Sequence, residues 1–169
     1  MDLPRVDKKL REAGFFLSKM SEQEKLAFGD KETFDFYLSA FLGAARTVDY
    51  RLRKEQPSLY PSWRPAWDMG LTPTQVVLVK FLIDDRNEEV HGIGSCRSEK
   101  TEKIPVGNMY HDASGTIFAW GPPGATNAVI HKPAYSFTID GVERKAMEVC
   151  AEYLGLLSTM LVKFKSDHL

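Results

Sequence analysis

The segment Lys31–Glu55 has the sequence KETFDFYLSAFLGAARTVDYRLRKE, in which apolar residues recur at intervals of three and four. This spacing places their side chains on one face of an α-helix, where they can pack into a core. The apolar stripe consists of Phe34, Leu38, Phe41, Ala45, Val48 and Leu52. Pro57 follows and ends the pattern, because proline has no backbone N–H to donate. We therefore predict a core helix over Lys31–Glu55.

Two further helices are predicted at the ends of the chain. The first runs from Pro4 to Met20, with a proline suited to a first helical turn. The last begins with a capping-box pattern at Asp140 and Glu143, in which side chains satisfy the free N–H groups of the first turn. Its apolar stripe is Ala146, Val149, Cys150, Tyr153, Leu157, Met160, Leu161 and Phe164. Both segments are expected to pack against the core helix.

A third helix is predicted after Gly70. Thr72 is a suitable N-cap, and Pro73 is a suitable first residue. We predict that its inner, core-facing stripe consists of Val76, Val79, Ile83 and Val90. Arg86 continues this stripe at the same spacing, which is an unusual place for a charge. The preceding segment, Ser58–Gly70, is rich in proline and tryptophan and is interpreted as a stiff connection packed against the core.

The segment from Ser98 to Thr138 is not predicted to be helical, because glycines and prolines interrupt it repeatedly. Short strands are predicted at Ile104–Tyr110, Thr116–Trp120 and Tyr135–Ile139, as a hairpin or meander. The expected fold is an all-α bundle of four to five helices, with a small β insertion at about residues 98–138. A length of 169 residues fits one domain over residues 1–169.

The composition is that of an ordinary water-soluble domain, with 43% hydrophobic and 27% charged residues. The two cysteines form no CxxC pair, and the apolar runs are too short to cross a bilayer, so we expect a cytoplasmic protein without membrane contact. The net charge of -1 provides no general attraction for nucleic acid. Contact with RNA would depend on local basic patches, of which there are two: Arg51, Arg53 and Lys54, and Arg97, Lys100 and Lys103.

One motif near the end of the third helix has residue types suited to catalysis: Arg86-Asn87-Glu88-Glu89-Val90-His91. Arginine stays charged at any working pH, and histidine exchanges protons near neutral pH. Residues five apart lie about 140° apart around an ideal helix, so Arg86 and His91 do not share a face, whereas Asn87 and His91 do. The pair could act together if the helix distorts beside Gly92, or if two copies of the motif meet across a two-fold axis.

Two other interpretations of the motif have to be weighed. In the first, Arg86 pairs with Asp85 or Glu89, and His91 caps the end of the helix. In the second, Glu88 and His91 are metal ligands of the Glu-x-x-His type found in di-iron bundles. A di-metal site needs a second such pair, which the sequence lacks, so we predict neither a metal nor a cofactor. The chain also has no P-loop, dinucleotide-binding glycine motif or serine-hydrolase elbow.

The motif and its position resemble those of the HEPN superfamily. That family is built on a small helical bundle with an Arg-x4–6-His motif near the end of one core helix, and a polar residue, often asparagine, commonly follows the arginine. Here the motif follows the long helix that includes Phe34–Glu55 and precedes the final helix Asp140–Lys165, as in the family. The resemblance covers the helical segments and not the insertion between Ser98 and Thr138.

The resemblance implies a homodimer, formed through the third helix, that cleaves RNA without a metal. Arg86 would hold the scissile phosphate, His91 would be the general base or acid, and Asn87 would orient His91 or contact the phosphate. Many members of the family are toxins of toxin–antitoxin or defence systems, so a cognate antitoxin or regulatory protein is a further expected partner. The alternative is a non-catalytic HEPN-like binding or regulatory module.

Overall fold

The structure is a computed structural model that describes residues 2–26, 30–91, 97–105, 108–111, 117–120 and 129–168. Within these residues the chain forms five helices and five strands. The elements are α1 (Pro4–Lys25), α2 (Lys31–Glu55), α3 (Tyr60–Met69), α4 (Pro73–His91), β1 (Ser98–Pro105), β2 (Asn108–His111), β3 (Ile117–Trp120), β4 (Val129–Ile139), β5 (Val142–Lys145) and α5 (Ala146–Asp167). No helix in the described part of the chain is long and apolar enough to cross a membrane.

The prediction of an all-α fold is wrong, because a three-stranded antiparallel sheet forms part of the core. Tyr135 and Phe137 of β4 are buried. The ring of Tyr135 stacks on Phe34 of α2 with centroids 3.7 Å apart, and Phe137 meets Phe81 of α4 edge-on at 5.3 Å. The fold is therefore α-rich with a small sheet, and the sheet is a layer of the core.

The sheet has the order β1-β4-β5, and a separate pair, β2-β3, lies between β1 and β4 in the sequence. The β1–β4 ladder starts at Ser98↔Ser136 and ends at Pro105↔Val129. Because β5 belongs to this sheet, the sheet extends beyond the predicted limit of residue 138, as far as Lys145.

The predicted capping box at Asp140 and Glu143 is also wrong. Asp140 and Gly141 have φ values of 50° and 75°, which is the geometry of a tight hairpin turn between β4 and β5. Glu143 lies in β5, where it accepts a hydrogen bond from Ser136 at 2.7 Å. The last helix therefore begins at Ala146, directly after the strand.

The predicted core faces of α2 and α5 are confirmed. Every residue of both predicted stripes is buried, and α2 adds Leu42 and Ala44. The bounds of α2 are those predicted, since Asp30 caps its start by accepting from the N–H groups of Glu32 and Thr33. Cys150 is buried packing, as expected; burial raises the pKa of its thiol, and the charge of Asp85 adds to this effect.

The proline-rich segment before α4 is a helix, α3, and not a connection. It does pack against the core, as predicted. Trp63 is buried, meets Phe164 edge-on with centroids 5.0 Å apart, and donates from Nε1 to Asp167 at 2.8 Å. These contacts with α5 fix α3 in place.

The predicted inner face of α4 is only partly correct, because Val79 and Ile83 are half-buried, and the side chain of Val90 lies outside the described residues. Among the α4 residues whose side chains are described, Leu78, Leu82 and Asp85 are buried, while Val76 is 48% exposed. The helix is apolar on several sides between Val76 and Ile83, so its sequence does not indicate one face clearly. As a result Asp85, and not Arg86, continues the buried stripe.

Candidate anion-binding groove beside Arg86

The orientation of α4 places Arg86 at the border between the core and the surface. Arg86 follows the buried Asp85 by one residue and Leu82 by four, so it flanks the buried face. Its Nη1 donates to Oδ1 of Asn87 at 3.3 Å. Its Nε is buried and has no hydrogen-bond acceptor among the described residues.

Arg86 and Asn87 form one side of a groove with a volume of about 620 Å³. The other side is α2, and the lining residues are Arg46, Thr47, Tyr50, Arg51, Lys54, Arg86 and Asn87. We call this feature the basic groove. Four of its seven residues are cations, and none of the described residues that line it carries a carboxylate. Such a lining attracts an anion.

The sequence of α2 explains why these side chains face the groove. Its five lining residues fall within an arc of about 140° on an ideal helix, with Arg46, Tyr50 and Lys54 spaced four apart. The buried stripe of α2 lies on the opposite side of the helix. The pattern that buries one face of α2 therefore presents the cationic face to α4.

The cations of the groove differ in how far they are already engaged. Arg46 forms an ion pair with Asp49 at 3.3 Å. Nζ of Lys54 lies 5.6 Å from the centre of the Tyr50 ring. Arg51 makes no ion pair or hydrogen bond with any residue that the structure describes. Arg51 thus offers N–H groups that can donate to an anion without the loss of a described partner.

A second group of polar and charged residues lies beside the groove, and we call it the paired cluster: Asp49, Tyr60, Arg64 and Asp68. Asp49 accepts from the Tyr60 hydroxyl at 2.5 Å and from Nη1 of Arg64. Nε of Arg64 donates to Asp68 at 2.7 Å. Burial raises the pKa of Tyr60, and the hydrogen bond to Asp49 raises it further. These contacts join α2 to α3, and they leave the cluster little capacity for a ligand.

The structure brings two of the three predicted site residues together, Arg86 and Asn87. His91 is the last residue of α4, and its side chain lies outside the described part of the structure, as does that of Glu88. The pairing of Arg86 with His91 therefore stays a prediction. Among the described residues no group of three or more histidine, cysteine or acidic side chains is arranged to hold a metal.

Only one of the two predicted basic patches contributes residues to the described lining of the basic groove. Arg51 and Lys54 line the groove, whereas Arg53 does not. In the other patch the side chain of Arg97 is 7% exposed and pairs with Asp35, whereas Lys100 and Lys103 are exposed and Lys100 pairs with Glu143. The sequence analysis missed Arg46 and Tyr50, although their spacing of four from each other and from Lys54 could have shown that they share a face.

Comparisons of the chain with protein-family models, with curated proteins and with solved structures found no match. The resemblance to the HEPN superfamily therefore stays a prediction from the sequence.

Proposed function

We propose that the basic groove binds the phosphodiester backbone of RNA and that the protein is a metal-independent ribonuclease of the HEPN type. The observation that carries this proposal is the position of Arg86 and Asn87, which face three cations of α2 across the groove. A phosphodiester is an anion that matches this lining, and arginine can bind two of its oxygens at once.

In the proposed reaction the ribose 2′-oxygen attacks the adjacent phosphorus while His91 removes the proton of the 2′-hydroxyl. The bond from phosphorus to the 5′-oxygen breaks, and that oxygen takes up a proton from water. Arg86 stabilises the negative charge that develops on the phosphate oxygens, and Asn87 contacts the phosphate or orients His91. The products are a 2′,3′-cyclic phosphate and a 5′-hydroxyl end.

The same proposal includes a homodimer formed through α4. Arg86 and His91 lie about 140° apart on one helix, so a site with both groups is readily built from two helices across a two-fold axis. The outward face of α4 bears Val76 and Val77, which are 48% and 39% exposed and suit an interface. An antitoxin or regulatory protein would act by covering the groove or this face.

The proposal is tested by incubating the protein with RNA in EDTA. Arg86→Ala and His91→Ala are each expected to lower kcat by roughly 10²- to 10³-fold, by analogy with the loss of one charge-stabilising or proton-transferring group. Lys80→Ala is the matched control, since Lys80 is an exposed cation of α4 outside the groove. RNA with 2′-deoxyribose at the cleavage position should not be cut. Cleavage that survives both substitutions would overturn the assignment.

A non-catalytic binding module is the second candidate. It is supported by the four cations that line the groove, because they can bind an anion whether or not a proton is transferred. This candidate predicts that RNA is retained by the groove and released intact. Retention that depends on Arg86 without any cleavage product would select it over the ribonuclease.

A further inference from the structure

Tyr50 is an aromatic residue on the cationic face of α2. It is 46% exposed and lines the basic groove. By contrast, Phe34 and Phe41 of the same helix are fully buried. Arg46 and Lys54 lie one turn away on either side of Tyr50, and Arg51 follows it directly. The groove therefore combines an accessible ring with cations at the distance of one helical turn.

The Lys54 ammonium lies over the ring of Tyr50, 5.6 Å from its centre. At an exposed site such a contact is worth only about 0.5–1 kcal/mol, so a ligand can displace it. A flat base can occupy the face of the ring, and the displaced ammonium remains close enough to bind a neighbouring phosphate. Stacking on an aromatic side chain beside cations is how proteins commonly bind unpaired nucleotides.

We infer that the basic groove takes a single strand of nucleic acid, with one unpaired base stacked on Tyr50. The phosphate on one side of that nucleotide is bound by Arg51 and Lys54, and the phosphate on the other side by Arg86. The inference rests on the proposed function for the position of the scissile phosphate at Arg86. Binding itself does not require cleavage, and so it can be tested separately.

A single strand fits the groove better than a duplex. In a duplex both faces of each base are covered by its neighbours, so Tyr50 would meet only the backbone. The volume of about 620 Å³ is within the range of small-ligand sites and suits a nucleotide with its flanking phosphates. Tyr50 thus becomes a residue that positions the substrate and selects unpaired over paired nucleotides.

The test measures binding by fluorescence anisotropy, with probes that lack a 2′-hydroxyl and so cannot be cleaved by the proposed reaction. The probes are a single-stranded DNA, an abasic strand of equal length and charge, and the duplex of the DNA. The full-length protein should bind the single strand most tightly. Tyr50→Ala should weaken this binding roughly 5- to 150-fold and leave the abasic strand unaffected. Tyr50→Phe should retain the binding.

Phe36→Ala is the control, because Phe36 is a 63% exposed aromatic residue of α2 outside the groove. Equal binding of the base-bearing and abasic strands, equal loss in the two alanine variants, or tighter binding of the duplex would each overturn the inference. Failure of the ribonuclease proposal looks different: the single strand would still bind through Tyr50, but RNA would remain uncut in EDTA.

Discussion

The basic groove and the paired cluster both include residues of α2. They differ in whether their charged side chains already have partners within the protein. In the paired cluster, Asp49 and Arg64 have 16% and 21% exposed side chains and bind each other. In the groove, Tyr50 and Lys54 are exposed, and no carboxylate is present among the described lining residues. Arg46 connects the two regions through its ion pair with Asp49. Charges with built-in partners attach α3 to α2, whereas charges without them are available to a ligand.

The largest expected effect on stability is at Asp49. Asp49→Ala leaves Nη1 of Arg64 and the Tyr60 hydroxyl partly buried without the carboxylate that they share, and we expect a loss of about 2–4 kcal/mol in the free energy of unfolding. Urea denaturation followed by circular dichroism measures it. Asp68→Ala is the matched control, because the Asp68 side chain is 49% exposed and its pair should contribute less than about 1 kcal/mol. Equal losses in the two variants would contradict the distinction between the two regions.

A smaller effect is expected at high pH from Tyr153, which faces the paired cluster. Burial raises the pKa of Tyr153 to about 12; the charge of Asp49 adds to the increase, while Arg46 and Arg64 oppose it. The unfolded chain has a tyrosine pKa of about 10, so this contribution to stability is complete below pH 10 and is lost as the pH rises to 12. Tyr153→Phe should reduce the loss of stability over this interval by about 2 kcal/mol.

The measurement is the free energy of unfolding at several pH values between 9 and 12. Tyr50→Phe is the control, because it also removes one phenol hydroxyl but does so at an exposed position. An identical pH dependence in the wild-type protein and Tyr153→Phe would show that burial does not hold this phenol in its neutral form.

The smallest expected effect concerns Arg51, the groove residue without a partner in the described structure. Arg51→Ala should leave the unfolding free energy within about 0.5 kcal/mol of the wild type. It should also lower the slope of log binding constant against log salt for a single strand by about 0.7, the value for one lost phosphate contact. Arg53→Ala removes a neighbouring exposed cation outside the groove. An equal change of slope in both variants would mean that the groove has no special role.

The sequence was informative where local chemistry decides the structure. Asp30 caps α2, and Thr72 caps α4 by accepting from the N–H of Gln75 at 3.3 Å, so both starts could be predicted from nearby residues. The prediction of a capping box at Asp140 and Glu143 was wrong because these residue types are equally suited to a turn and a strand. Glu143 bonds to Ser136 and Lys100, which are distant partners that a local pattern does not reveal.

Helix α3 and the orientation of α4 were missed for related reasons. Pro65 lies inside α3, and contacts such as that of Trp63 with Asp167, 104 residues away, compensate for the unfavourable local sequence. In α4 the residue that continues the buried stripe is the polar Asp85, which a search for apolar residues does not find. Arg86 and Asn87 could be found from their chemistry, but the groove could not, because it depends on how α2 and α4 pack.

The β1–β4 ladder has a consequence for how this chain can change in evolution. Its last pair, Pro105↔Val129, brings together two residues that are 24 positions apart in the sequence. The chain therefore leaves the sheet and returns to it at one point, and a connection of any length can join the two strands without altering their register. Such points tolerate insertion and deletion. The region between β1 and β4 is thus where relatives of this protein could acquire new segments while the helices and the basic groove stay the same.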